Sequence, residues 1–304
     1  NRLESKTLAT ADASGNIYYH YLDEAASRMD KSKRSVADSD GCLSYTYTYS
    51  TTVTTRIIGK VGYSDNAWTT VKVTYTSYDN ADNRMESKTL AAADANGNVY
   101  YHYLDEAASR NDIIKRSAVD SDGAIAYKFT FSATTPARTI TKTCYSDLAM
   151  TLVVATYNYA DDATNRLISK VVTELGIVTT YTYYNDANNR MESKTLASAD
   201  ASGNVYYHFL NEALNRNDII KRSVVDSDGA IAYKLTYSVA NPTKVITKVC
   251  YSNLTMTTVI VTYTNYDNVN NRLESKTLAT ADASGNIYYH YLDEAASRND
   301  IIKR

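Results

Sequence analysis

The chain of 304 residues carries 32 Lys and Arg against 34 Asp and Glu, for a net charge of −2, and holds 29 Tyr against 3 Phe, 1 Trp and 2 Pro. A balance this even sets up no long-range field to steer nucleic acid or an anionic membrane, and no apolar run approaches the roughly 18 residues of a membrane span. The length would suit two ordinary globular domains, but that expectation assumes a sequence without internal repeats.

A repeat is present. The text Asn-Arg-(Leu/Met)-(Glu/Ile)-Ser-Lys starts at Asn1, Asn83, Asn165, Asn189 and Asn271, at successive offsets of 82, 82, 24 and 82 residues. Residues 1–28 and 271–298 are the same string, so both ends read as interior to a longer array, and Asn1-Arg2-Leu3-Glu4 reads as mid-repeat text rather than as a signal peptide. Inside the first unit, Arg28-Met29-Asp30-Lys31-Ser32-Lys33 and Arg56-Ile57-Ile58-Gly59-Lys60 echo the opening text at steps of about 27 residues. The expected organisation is one continuous repeat array over 1–304: 82-residue units 1–82 and 83–164, a short sub-repeat 165–188, a unit 189–270 and a partial unit 271–304.

In chain order, Arg2 to Leu8 alternates with period 2 and predicts a strand. Ala11 to Asn16 supplies turn chemistry, with Gly15 and Asn16 suited to positive φ, and Ile17-Tyr18-Tyr19-His20-Tyr21-Leu22 predicts a second strand, which completes a hairpin. Asp23 to Arg28 has some helical propensity but only six residues, so a turn or a single helical turn is expected. Asp38-Ser39-Asp40-Gly41 precedes Tyr45-Thr46-Tyr47-Thr48-Tyr49, and Val71 to Thr76 precedes a turn at Tyr78-Asp79-Asn80. A unit of about 27 residues cannot bury a core alone, so neighbours must stack. The fold class expected is all-β: a tandem-repeat array of antiparallel hairpins forming a spiralling sheet, tube or solenoid. Alternation at Tyr45, Tyr47 and Tyr49 predicts rings stacked across neighbouring strands into aromatic ladders.

Candidate chemistry is sparse. His20, His102, His208 and His290 share one place in the repeat, and strands spaced about 4.8 Å apart would keep successive copies on the order of 25–30 Å apart, too far to share a metal. Asp38, Asp120 and Asp226 open Asp-Ser-Asp-Gly segments like the start of a calcium loop, but no acid follows at the closing position of an EF-hand, so ordinary Asx turns are expected. Cys144 and Cys250 occupy one repeat position where the first unit has Gly62, which predicts a small-residue packing site rather than half of a disulfide framework. A nucleophile, its base and an orienting acid need a unique setting, and every His here has the same surroundings. No catalytic, cofactor-binding or metal-binding residue is therefore assigned, no cofactor is expected, and the chain is not expected to be an enzyme.

The text Tyr75-Thr76-Ser77-Tyr78-Asp79-Asn80-Ala81-Asp82-Asn83-Arg84-Met85, repeated as Tyr263 to Leu273, resembles the tyrosine-aspartate (YD) repeats of the Rhs, teneurin and toxin-complex proteins, and Asp12 to Asn16 followed by Tyr18-Tyr19 fits the second half of that pattern. The usual Gly before Arg is Asn here, at Asn1, Asn83, Asn189 and Asn271. The resemblance implies hairpins laid side by side into a spiralling sheet, which in the family encloses a cargo polypeptide or forms an extracellular adhesive module. The function expected is that of a structural segment of a long extracellular or cell-surface protein, forming a rigid β-sheet fibre, tube or sheath; the alternative is a YD-type shell or adhesin stalk enclosing or presenting another domain. Partners expected are further repeats or copies joined end to end, and glycans or cell-surface proteins, with no nucleic acid.

Overall fold

Period-2 text and frequent turn residues leave the backbone little choice but extended hairpins. A computed structural model describes residues 2–78, 84–106, 108–184, 190–264, 274–293 and 298–304, and among them every regular element is a strand. Residues 1–82 hold β1 (Ser5–Thr7), β2 (Asn16–Asp23), β3 (Arg28–Arg34), β4 (Ser44–Tyr49), β5 (Ile57–Tyr63) and β6 (Val71–Tyr78). Residues 83–164 hold β7 (Met85–Leu90), β8 (Asn98–Asp105), β9 (Arg110–Arg116), β10 (Ala126–Phe131), β11 (Thr139–Tyr145) and β12 (Val153–Tyr159). The short stretch 165–188 holds one hairpin, β13 (Leu167–Glu174) and β14 (Ile177–Tyr183). After it come β15 (Met191–Leu196), β16 (Asn204–Asn211), β17 (Arg216–Arg222), β18 (Ala232–Tyr237), β19 (Val245–Tyr251), β20 (Val259–Thr264), β21 (Ser275–Leu278), β22 (Tyr288–Asp293) and β23 (Arg298–Lys303).

The chain divides into two compact units, Asn1–Thr156 and Tyr157–Arg304. Within the first, β1 to β11 pair strictly in sequence order, each antiparallel to the next. Within the second, β13 to β23 do the same. The expected all-β array of tandem antiparallel hairpins is the fold observed.

Direct cross-strand partners share a face of a sheet, so the registers read out its rows. One row of the first unit runs Tyr47, Lys60, Tyr75, Lys88, Tyr101, Ile114, Tyr127, Cys144 from β4 to β11. Its counterpart in the second runs Lys170, Tyr181, Lys194, Tyr207, Ile220, Tyr233, Cys250, Val261 from β13 to β20. Each tyrosine of these rows therefore faces Lys, Ile or Cys across the strands instead of another ring, which corrects the expected cross-strand aromatic ladder. Ring-to-ring contacts run along a strand, as in Tyr45–Tyr47 at 6.3 Å and Tyr101–Tyr103 at 6.4 Å between centroids. The reason is register: a Tyr-x-Tyr strand is answered by strands whose matching positions are Lys, Gly, Ile, Cys or Asn.

The turns explain where the strands stop. Asp23 to Arg28 is a plain turn, with the Ala26 amide donating to Asp23 and the Ser27 amide donating to the Glu24 carbonyl. At the family-like motif, Asn165 is the described copy of the Asn before Arg, and its φ of 46° is left-handed, as Asn tolerates. The other copies, Asn1, Asn83, Asn189 and Asn271, and the motif turns at 79–83 and 265–273, lie outside the described residues. In the β13–β14 hairpin both turn residues are left-handed, Leu175 at φ 49° and Gly176 at 79°, the two-residue pattern that favours Asn-Gly. Leu175 is 97% exposed there and gains nothing from packing. Leu175→Asn is expected to raise unfolding stability by about 0.5–1 kcal/mol, measured by urea denaturation; an unchanged or lower midpoint would contradict this account of the turn.

All three cysteines are buried thiols, none in a disulfide. In the first unit Cys42, Tyr45, Val73 and Tyr75 form a cluster, and a Cβ built on Gly62 would lie 2.5 Å from the Cys42 Sγ. In the second unit the matching cluster is Ala230, Tyr233, Cys250, Val261 and Tyr263. One sulfur fills the slot in both, carried by Cys42 opposite Gly62 in one case and by Cys250 beside Ala230 in the other. Gly62→Cys alone is expected to cost about 1–3 kcal/mol under reducing conditions through overpacking. Adding Cys42→Ala should restore most of that loss, and a double-mutant cycle that finds the two changes additive would rule out the shared slot.

Candidate functional site: the turn clasps and the tyrosine–lysine face

Seven hairpin turns follow one plan, set by Asp at i, Gly at i+3 and Tyr at i+7: Asp12–Tyr19, Asp38–Tyr45, Asp94–Tyr101, Asp120–Tyr127, Asp200–Tyr207, Asp226–Tyr233 and Asp282–Tyr289. In each, the backbone amides of i+2 and i+4 donate to Oδ1 of the Asp, as Asp122 and Ala124 donate to Asp120, both at 2.9 Å. The Tyr hydroxyl donates to the remaining oxygen, at 2.6 Å for both Tyr127 to Asp120 and Tyr233 to Asp226. The Gly amide donates to the Asp carbonyl, at 3.1 Å for Gly123 and 3.0 Å for Gly229, and the Gly takes a φ of 75–81°, which a Cβ would strain. The side chain thus closes an Asx turn and ties it to the strand that follows.

The clasps account for the Asp-Ser-Asp-Gly segments that resemble the start of a calcium loop. Asp38, Asp120 and Asp226 each spend both carboxylate oxygens on the clasp. The second Asp of the segment is used elsewhere: Asp40 accepts from the Tyr75 hydroxyl and the Lys88 ammonium, and Asp228 from Tyr263 and Lys276. The two clusters connect a turn to strands three and four positions further along the sheet. Burial pushes the Asp40 carboxyl up, but Lys88 and Tyr75 outweigh it and hold the group below the usual range. Among the described residues, no three His, Cys, Asp or Glu side chains converge as metal ligands do.

The histidines lie on the opposite face from the tyrosine–lysine row, since Ser87 pairs with His102 while the adjacent Lys88 pairs with Tyr101. A β-bulge in the next strand supplies each with a carboxylate. His102 faces Ile113 and Tyr103 faces Asn111, so Asp112 is the extra residue, and its Oδ1 lies 2.5 Å from His102 Nδ1. The same dyad recurs as His20–Asp30 and His208–Asp218 at 2.5 Å and His290–Asp300 at 2.6 Å. The His290 ring holds Asp300 below its ordinary range. Glu4 and Glu86 reach the other ring nitrogen of His20 and His102 at 3.7 Å. The dyad was not anticipated from sequence; its signal is the constant ten-residue step from His to Asp.

On the tyrosine face, ammonium groups sit over rings. Lys60 Nζ is 3.9 Å from the Tyr45 centroid and 5.0 Å from that of Tyr75, and Lys248 is 4.2 Å from Tyr233 and 5.4 Å from Tyr263. Burial lowers the Lys60 pKa, and it pushes the thiols up, Cys42 to about 11 and Cys250 to about 12, so both thiols are protonated and poor nucleophiles at neutral pH. Each cation–π contact contributes about 0.5–1 kcal/mol where partly solvated. Repetition makes the sum substantial.

The clasps also make the fold acid-sensitive. The Tyr207 and Tyr289 hydroxyls hold Asp200 and Asp282 below the usual carboxylate range. At Asp120 and Asp226 burial pushes upward, and the Tyr hydroxyl with two amides outweighs it, so the net shift is again downward. A carboxylate with a depressed folded-state pKa contributes stability that is complete above its unfolded value of about 3.9 and lost as pH falls through the folded value. Denaturant midpoints should therefore hold from neutrality to about pH 4 and fall below it. Tyr127→Phe should cost about 1 kcal/mol at pH 7 and shrink the acid-side fall; a wild-type midpoint at pH 7 would mean that the hydroxyl adds nothing.

No protein-family model matches the chain, and no curated protein matches it. Among solved structures, a crystal structure of TcdB2-TccC3-TEV aligns over 92% of this chain and 12% of its own at 10% identity, with a TM-score of 0.22. A crystal structure of TcdB2-TccC3 aligns over 95% and 16% at 11% identity, with a TM-score of 0.17. A structure of the Photorhabdus luminescens Tc holotoxin pore carrying the TccC3 D651A change aligns over 95% and 16% at 12% identity, also with a TM-score of 0.17. The chain thus spans less than a fifth of the length of these structures, and likeness this slight assigns it to no family.

Proposed function

We propose that the chain is a structural segment of a long extracellular or cell-surface protein, in which repeated hairpins build a rigid β-sheet fibre, tube or sheath. The observation that carries this reading is the recurrence of one clasp at seven turns, joined by strands that pair only with their sequence neighbours within each unit. A device repeated at fixed spacing suits a load-bearing wall, in which no copy is singled out. The reading includes no catalysed reaction, cofactor or nucleic acid, one continuous array over 1–304, and partners that are further repeats or copies of the same chain, with glycans or cell-surface proteins as surface contacts.

A second reading, a YD-type shell or adhesin stalk that encloses or presents another domain, is favoured by the Tyr-x-x-Tyr-Asp text at Tyr75–Asp79 and Tyr263–Asp267. Electron cryomicroscopy of the natural assembly separates the two. Continuous filaments with an axial period matching the 82-residue units are expected; discrete hollow particles would replace the fibre with the shell.

A further inference from the structure

His102, on the middle strand of β7, β8 and β9, is held between two carboxylates. From β9, Asp112 Oδ1 lies 2.5 Å from Nδ1, and from β7, Glu86 Oε1 lies 3.7 Å from Nε2. Asp112 accepts the Nδ1 proton, which fixes the tautomer and leaves the Nε2 lone pair facing the Glu86 carboxylate. The His102 side chain is 28% exposed and that of Glu86 53%, so both groups are open to solvent.

Two acceptors that face each other repel unless a cation stands between them. A proton on Nε2 does not close this gap, because an N–H···O bond spans about 2.7–3.2 Å. A metal ion does: bonds of about 2.0–2.2 Å from zinc to an imidazole nitrogen and a carboxylate oxygen reach across 3.7 Å at an angle of about 125°, nearer to tetrahedral than to the right angle between square-planar or octahedral neighbours. The Asp112–His102 bond is the support that a metal-bound imidazole commonly has, a carboxylate on the ring nitrogen that points away from the ion.

The other three histidines keep the Asp and lack another part. His208 and His290 bond Asp218 and Asp300, and among the described residues no carboxylate pairs with Nε2 of either. At His208 the Tyr184 ring stands edge-on against the imidazole, 6.2 Å between centroids, and Glu192 accepts from the Thr182 hydroxyl instead. His20 keeps Glu4 at 3.7 Å, but its partner across the strands is Lys31, an ammonium where His102 has the neutral Ile113. The four copies share one dyad and differ in what meets the second nitrogen.

We propose that His102 Nε2 and Glu86 bind one zinc ion, with Asp112 orienting the ring and water filling the two remaining positions. Imidazole suits zinc, whereas magnesium and calcium take oxygen donors and copper(II) prefers square-planar ligands. Asp112 binds the ring and not the ion, so the site needs no third converging side chain. The ion is structural, clipping β7 to β8 beside the bulge that joins β8 to β9. The assignment goes beyond the proposed function and stands whether the chain builds filaments or shells.

The test is calorimetric titration of the 304-residue chain with zinc chloride and with magnesium chloride, alongside thermal melts of every variant with and without zinc. One zinc per chain is expected to bind at submillimolar concentration and to raise the melting temperature, with magnesium weaker by about ten-fold or more. His102→Gln, Glu86→Gln and Asp112→Asn should each weaken zinc by about ten-fold or more, and His208→Gln should leave it unchanged. In the unsubstituted chain zinc should protect His102, and not His208, from carbethoxylation by diethyl pyrocarbonate, read by mass spectrometry, a measurement that does not depend on any variant folding. No binding at submillimolar zinc, full binding by His102→Gln, equal affinity for magnesium, or equal modification of His102 with and without zinc would each overturn the proposal.

Discussion

A hairpin in a sheet with few buried side chains lacks the apolar backing that usually fixes its turn, and the carboxylate–tyrosine clasp supplies what that backing would. Asp120 gathers two amides of its own turn on one oxygen and the hydroxyl of Tyr127 on the other, so the turn and the first residues of β10 are ordered together. The geometry closes only if Gly stands at the fourth position and Tyr at the eighth. Once that spacing is set, strand register is set with it, because Tyr127 then faces Ile114 on one side and Cys144 on the other.

Register in turn creates the tyrosine–lysine face. An ammonium resting on two rings, as Lys60 does between Tyr45 and Tyr75, holds its four-carbon stem along the strand and shields the rings from water. The face is thereby covered by the aliphatic parts of its own polar residues. Buried apolar clusters are small, around Cys42 and Val73 in one unit and Ala230 and Cys250 in the other. Asp40 and Asp228 add long-range ties, each bonding a Tyr and a Lys from strands further along the sheet. Together these interactions give a thin sheet specificity that a hydrophobic core would otherwise provide.

Much of this was legible in the text. Alternation in Tyr45 to Tyr49 and the Gly and Asp clusters were enough to place hairpins, since both signals are local and the repeat multiplies them. The interchange of Gly62 with Cys144 and Cys250 correctly marked a tight packing site, although the compensating partner, Cys42 against Ala124 and Ala230, was not visible without cross-strand geometry. What local text could not show was which residues face each other. Asp112 reaches His102 through a bulge, which shifts register by one and is not marked by composition. Alternation alone likewise predicts tyrosines meeting one another, whereas they meet Lys, Ile and Cys.

The divided sulfur slot has a genetic consequence. Similar repeats invite recombination between copies, and an exchange within identical text, such as residues 1–28 and 271–298, would be silent. An exchange falling between position 42 and position 62 is different. It joins a half that carries Cys to another that carries Cys, or Ala to Gly, leaving two sulfurs crowded in one place or none at all. Positions 42 and 62 are therefore sterically tied, and a recombinant that keeps the packing takes both from one copy.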